Sequence, residues 1–433
     1  MSGPGHHRPH DSADPLGPPR RGDDRAASRN PRPIAGRARV ILGSDSPSDA
    51  DASGWSPGVP PDPAALDGLA DALLDGPARG RGAGLNPASR FDDIRLHVLP
   101  EHLENTAREH PSGRQVRTEV FDDDTRAVLN PVNVPDIPFR WTVNPYRGCE
   151  HGCIYCYARP GHEYFGLSSG LDFETRIFAK PRAAELLRTA LARPSWEADF
   201  IVMSGVTDPY QPIERRLGIT RACLEVMAEC RQPVGLITKN ALITRDIDLL
   251  STLATHGAAQ TSISLTTLDN TLAARMEPRA SSPRERLDAI RALSDAGIPV
   301  SVMVAPVIPG LNDREIPAIL EAAARAGARR AAWIMLRLPF QIKALFLEWL
   351  QRHVPDRAAR VESLIRQVRG GDLYDSTIAQ RMRGTGPIAD QIAQMFKVYA
   401  RRLALDGELP PLSGAAFRRP ESGAERGQMK LFG

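Results

Sequence analysis

Long apolar runs are missing from this chain. No stretch approaches the roughly eighteen residues that cross a bilayer as a helix, which argues against a membrane-spanning protein. An excess of one charge is missing as well. Fifty-five Lys and Arg against 52 Asp and Glu leave a formal charge of +3, too little by itself to argue for nucleic acid or a membrane surface as partner. Cysteine is scarce: five residues, an odd number, with no signal-peptide pattern to deliver them to an oxidising compartment. A disulfide framework is therefore not expected, and the cytoplasm, where thiolates stay reduced, is the expected location.

What is present suffices for a core. Hydrophobic residues make up 42% of 433, enough for one large domain or two smaller ones. They are unevenly spread. The first sixty-odd residues are rich in Pro, Gly, Arg, Asp and Ser and show no hydrophobic period, so residues 1–90 are expected to be mostly disordered, with one short helix over Pro61 to Leu74. A lead-in segment occupies 91–138.

From Phe139 onward strands and helices alternate. The predicted strands are Phe139 to Asn144, Phe200 to Val206, Val234 to Thr238, Ala259 to Thr267, Val300 to Val307 and Arg330 to Leu336. The predicted helices between them are Pro181 to Arg193, Gly218 to Cys230, Arg245 to His256, Ser282 to Ala296 and Arg314 to Ala326. Gly257 and Gly297 follow helix ends, and Ser281 or Ser282 with Pro283 marks a start. Six strands joined by five helices imply a parallel sheet with right-handed crossovers, an α/β fold of the partial (β/α)6 TIM type over 139–340. A helical, arginine-rich C-terminal extension follows over 341–409, then a disordered tail over 410–433. Within the extension, Tyr374, Arg381, Arg383, Arg401 and Arg402 read either as a polyanion-binding set or as an ordinary exposed face, and Gly384-Thr385-Gly386-Pro387 as a lid.

The fourth strand suggests what the sheet encloses. Gln260, Ser262, Ser264 and Thr266 alternate with Ile263 and Leu265, and since successive side chains point to opposite faces, the polar set is expected to line the lumen. Branched apolar residues fill an ordinary packed barrel. A polar lumen suits a polar ligand, although neighbouring strands could also satisfy the hydroxyls.

Three of the five cysteines fall within eight residues, Cys149, Cys153 and Cys156, in the run Asn-Pro-Tyr-Arg-Gly-Cys-Glu-His-Gly-Cys-Ile-Tyr-Cys-Tyr-Ala-Arg-Pro. Structural zinc takes four Cys or His ligands and would have to recruit His151 or His162. Thiolates also hold iron-sulfur clusters, usually four per cluster, so three would leave one iron open to an outside ligand. The array lies just after the first strand, and chemistry in this fold collects at the carboxyl ends of strands.

This CxxxCxxC spacing, with aromatic Tyr155 before the last cysteine, resembles the cluster motif of the radical S-adenosylmethionine (SAM) superfamily. Asn144 to Pro160 and Thr207-Asp208-Pro209-Tyr210-Gln211-Pro212 resemble the branch containing spore photoproduct lyase. The resemblance covers about the middle half of the chain. It implies that Cys149, Cys153 and Cys156 hold a 4Fe-4S cluster whose open iron chelates SAM. It implies an enzyme that cleaves SAM reductively and abstracts a hydrogen atom, fed by a donor such as flavodoxin or ferredoxin and acting on an unknown substrate, for which nucleic acid is the candidate.

The resemblance also suggests SAM contacts. Tyr155 belongs to the motif; Ser204, Gly205 and Asp208 would lie near the methionine amine; Lys239, Ser264 and Arg279 would pair with the carboxylate; Gly310 would pass near the adenine. That branch uses a cysteine soon after the second strand to return a hydrogen atom. Met203 to Asp208 contains none, and Cys223 and Cys230 share a helix face where they read as small buried hydrophobes, so Tyr155, Tyr157 and Tyr210 remain as alternative donors. Finally, Gln428-Met429-Lys430-Leu431-Phe432 resembles the peptide by which bacterial repair proteins bind the sliding clamp. The competing class is a zinc- or cluster-bearing binding protein without SAM chemistry.

Overall fold

The computed structural model describes residues 72–73, 78–87, 89–91 and 115–421. The expected helix over Pro61 to Leu74 and the clamp-like peptide Gln428 to Phe432 lie outside them, apart from the backbone of Ala72–Leu73, which is extended and pairs with Asn86–Pro87.

Six parallel strands form one sheet in chain order: β1 Trp141–Val143, β2 Ile201–Met203, β3 Val234–Thr238, β4 Ala259–Ser264, β5 Val300–Val307 and β6 Arg330–Met335. Leu129–Pro131 adds an antiparallel edge beside β1. The crossovers are α1 Ala183–Leu191, α2 Ile219–Cys230, α3 Ile247–Ala254, α4 Pro283–Asp295 and α5 Ile316–Arg325. This is the expected (β/α)6 order, with β3 and β5 at the predicted bounds. Sequence signals explain the edges: Ser282 caps α4 by accepting from the Glu285 N–H at 3.3 Å while the Glu285 carboxylate accepts from the Ser282 N–H at 2.7 Å.

The apolar alternation of β4 packs outward. Ile263 and Leu265 are buried in the same cluster as Ile290 and Leu293 of α4, each such burial contributing about 1.5–3 kcal/mol. The opposite set faces inward and is polar. Ser262 shares a hydroxyl–hydroxyl bond of 2.5 Å with Ser301 on β5, so one of these residues is satisfied by a neighbouring strand.

Beyond the sheet come α6 Ile342–His353, α7 Pro355–Gln367, α8 Gln380–Arg383 and α9 Gly386–Arg402. The Gly384-Pro387 segment, expected as a lid, instead opens α9, with Pro387 in its first turn and the Thr385 N–H bonded to the Val368 carbonyl. Arg381 pairs with Asp136, and the Arg383 guanidinium stacks 4.6 Å from the Trp333 ring centroid, so two of the extension's arginines serve internal contacts.

Two stretches expected to be disordered are packed where described. Residues 81–85 sit against the cysteine loop. Residues 410–421 cross the amino ends of the strands: the Pro410 carbonyl accepts from the Gln260 amide, Ser413 donates to Gly257, and Arg418 donates to Cys230. Neither stretch has a hydrophobic period, and backbone and arginine hydrogen bonds hold both.

Candidate active site at the cysteine loop

The loop begins where β1 ends, and backbone bonds fix its path. Cys149 N–H donates to the Phe173 carbonyl at 2.9 Å, Ile154 to Met276 at 3.0 Å and Cys156 to Cys153 at 3.2 Å. Cys149 and Cys153 are buried and Cys156 is partly exposed. Burial pushes the Cys149 thiol well above its usual range, with Asp208 and the other two cysteines adding to the shift, and pushes Cys153 up to about 12. Thiols so placed become ligands when the charge of a bound metal displaces the proton.

Neither histidine is available as a fourth ligand. The His162 Nε2 is bonded to the Arg176 carbonyl at 2.9 Å, and its ring packs among Phe165, Phe173 and Phe178. His151 uses both nitrogens, Nδ1 with Asp208 at 3.3 Å and Nε2 with the Asn240 amide at 3.2 Å. Among the described residues no three His, Cys, Asp or Glu side chains converge on a point that would suit a single metal ion. Three thiols from one loop are the donor set that a cluster takes, each on a different iron.

The other candidate residues fall into two groups. Asp208, expected near an ammonium, is already engaged. It accepts from Thr238 at 2.7 Å, the Lys239 and Tyr210 N–H groups at 2.9 Å, and His151. Burial pushes its carboxyl up, but His151 and these bonds win and hold it at about 2. Arg279 pairs with Glu150 at 3.3 Å, and the Gly205 carbonyl accepts from the Tyr157 hydroxyl at 2.8 Å. Ser204 makes a weak 3.5 Å contact with the Thr207 carbonyl. Gly310 does have a close neighbour, but a Cβ there would stand 2.7 Å from Leu364 of α7, so its lack of a side chain accommodates a helix.

The second group keeps spare capacity. The Lys239 ammonium lies 5.8 Å from the Tyr155 ring centroid and has no hydrogen-bond acceptor among the described residues. Burial lowers its pKa, but Cys153 and Glu277 outweigh that and raise it, so it stays charged. The Ser264 hydroxyl likewise has no partner among the described residues.

Sequence reasoning missed Glu277 as a hub. This buried carboxylate accepts from Arg286, from the Tyr155 hydroxyl and from Thr266 at 2.5 Å. Burial pushes it up, yet Arg286 and Lys239 keep it below its usual range. It fixes Tyr155, one residue from Cys156. A second hub is the fully buried pair Arg159–Glu174 at 2.5 Å; removing either partner would cost about 3–5 kcal/mol. Of the three tyrosines considered as donors, Tyr155 and Tyr210 are buried, whereas Tyr157 is 50% exposed under the Arg337 guanidinium.

Residues 143–323, the β1–α5 region with this loop at its head, match the Radical SAM superfamily. The chain belongs to the radical SAM superfamily. It is 36% identical over 263 residues to an uncharacterized protein of Mycobacterium tuberculosis (strain ATCC 25618 / H37Rv), covering 59% of this chain and 77% of that protein. It is 26% identical over 264 residues to the radical SAM Nalpha-GlyT isomerase of Pseudomonas phage M6, covering 60% of this chain and 51% of that protein. Among solved structures, a spore photoproduct lyase with bound AdoMet and dinucleoside spore photoproduct aligns with a TM-score of 0.43 and 16% identity over 66% of this chain and 79% of that one. Radical SAM membership makes the chain an enzyme of that class. No helix among the described residues is long and apolar enough to cross a membrane.

Proposed function

We infer that Cys149, Cys153 and Cys156 hold a 4Fe-4S cluster, that SAM binds at its open iron, and that the product radical takes a hydrogen atom from a nucleic-acid substrate. When bound, the cluster supplies one electron, received from a flavodoxin- or ferredoxin-like donor, that cleaves SAM to methionine and a 5'-deoxyadenosyl radical. The observation that carries this reading is the pairing of three neighbouring buried or half-buried thiols with an unengaged ammonium. Lys239 supplies a cation beside Cys153, and Ser264 a hydroxyl, suited to a carboxylate. Asp208 holds the Lys239 backbone and His151 in place. Glu277 orients Tyr155.

The rim supports the substrate class. Tyr157 lies under Arg337, Arg90 stacks 3.9 Å from the Phe340 ring centroid, and Phe91 meets Tyr164 at 5.3 Å. Phe91, Tyr157, Tyr164 and Phe340 are all more than half exposed or close to it, at 57%, 50%, 65% and 58%. Exposed rings interleaved with guanidinium groups suit splayed bases on a phosphate backbone. Metal analysis after anaerobic reconstitution should give about four iron and four sulfide per chain rather than zinc. A labelled single-stranded oligonucleotide should bind the wild type and lose affinity with Tyr157→Ala and Arg337→Ala. Stoichiometric zinc, or equal oligonucleotide binding by all three proteins, would overturn the corresponding half of the reading.

A further inference from the structure

Residues 81–85 lie outside the stretch that matches the superfamily, yet they support the cysteine loop at three of its residues. Gly82 meets it directly. A Cβ on Gly82 would stand 1.9 Å from the Gly152 carbonyl oxygen, so only a residue without a side chain fits there. Arg81 reaches it through Thr118, donating to the Thr118 hydroxyl at 2.9 Å, which in turn donates to Glu150 at 2.7 Å. The third route runs through Glu174. Its carboxylate accepts from the Gly82 N–H at 3.0 Å, the Ala83 N–H at 2.9 Å and Arg159 at 2.5 Å, and Arg159 donates to the Cys153 carbonyl at 2.9 Å.

Two further hydrogen bonds hold the segment. Arg352 of α6 donates to the Gly82 carbonyl at 3.2 Å, and Arg81 donates to the Glu174 carbonyl at 2.9 Å. Glu150, Gly152 and Cys153 thus each rest on this segment or on a group it holds.

We propose that residues 81–85 are a built part of the cluster site, a strap that fixes the backbone from Cys149 to Cys153 so that two thiols are presented to the cluster together. This rests on the reading that those thiols hold a 4Fe-4S cluster. The strap residues touch no reacting atom; their role is positioning.

Three glycines in the strap region provide a graded test. At Gly80 a Cβ meets nothing within 4 Å, although φ is +68°; at Gly84 it meets the flexible ends of Glu348 and Arg352 at 2.8–3.0 Å; at Gly82 it meets backbone. Gly80→Ala therefore reports backbone strain alone. In the full chain, reconstituted anaerobically, Gly82→Ala should lose its 4Fe-4S absorbance in air about tenfold faster than wild type, while Gly80→Ala and Gly84→Ala decay within about twofold of it. In the metal-free chain, amide exchange over residues 149–156 should rise in Gly82→Ala but not in Gly80→Ala or Gly84→Ala. Arg81→Gln, should Gly82→Ala fold poorly, is expected to shift both readouts in the same direction. If wild type takes up a cluster and Gly82→Ala and Arg81→Gln match it in decay and exchange, the strap proposal fails alone. A wild type that takes up no cluster overturns the reading beneath it.

Discussion

The two ends of the parallel sheet are closed by different chemistry. At the amino ends of the strands, residues 405–421 are held largely by main-chain carbonyls: Leu405 accepts from Ala331, Gly257 from Ser413, and Arg193, Pro194 and Trp196 from the Arg419 guanidinium. At the carboxyl ends, side chains dominate. The carboxylate of Asp208 accepts from the Lys239 backbone N–H, those of Glu277 and Glu150 pair with Arg286 and Arg279, and the Lys239 ammonium keeps unused hydrogen-bonding capacity. A satisfied backbone seals. An unsatisfied charge beside buried thiols binds. Substitutions at the two ends should therefore separate cleanly into losses of chemistry and losses of stability.

Cys153→Ala should break the mouth outright, abolishing cluster uptake and SAM cleavage; iron per chain and 5'-deoxyadenosine formation check this. Lys239→Ala comes next. Losing a charge-assisted contact worth about 1.5–3 kcal/mol should weaken SAM binding roughly ten- to a hundredfold while iron content stays at the wild-type level, as read by equilibrium binding and metal analysis.

His162, which packs against Gly148 beside the cysteine loop, gives a pH signature. Burial lowers its pKa from 6.5 to about 4, so between these values the unfolded chain binds more protons than the folded one. Stability is fully present above about pH 6.5 and falls as the pH drops toward 4, by up to ~3 kcal/mol. His162→Phe should remove about half of that slope in denaturant midpoints, because His353, which burial lowers further, to about 3, contributes a comparable share. The smallest effect belongs to the sealed end: Arg419→Ala should cost about 1 kcal/mol of stability and leave 5'-deoxyadenosine per iron unchanged.

The strands and helices of the core were legible because each carries its own periodicity. The polar alternation Gln260, Ser262, Ser264, Thr266 correctly marked the inward face of β4. The strap was illegible because Arg81 and Gly82 act through hydrogen bonds to residues about 35 and 92 positions away, which leave no local period. The alternating glycines 80, 82 and 84, placed just before Leu85, were its one sequence signal, and composition alone made them read as disorder. Side-chain neighbours at strand ends leave no such signal, as Asp208 and Gly310 show. Spacing locates a residue on a strand end, while only the fold reveals that four donors surround Asp208, or that Leu364 stands beside Gly310.

The central claim is that the mouth of this sheet makes a radical from SAM. Anaerobically reconstituted wild-type protein given SAM, with and without dithionite, tests it most directly. 5'-Deoxyadenosine that requires dithionite and disappears in Cys149→Ala, Cys153→Ala and Cys156→Ala is the predicted result. A reconstituted protein carrying its full complement of iron and sulfide that leaves SAM intact under dithionite would contradict it.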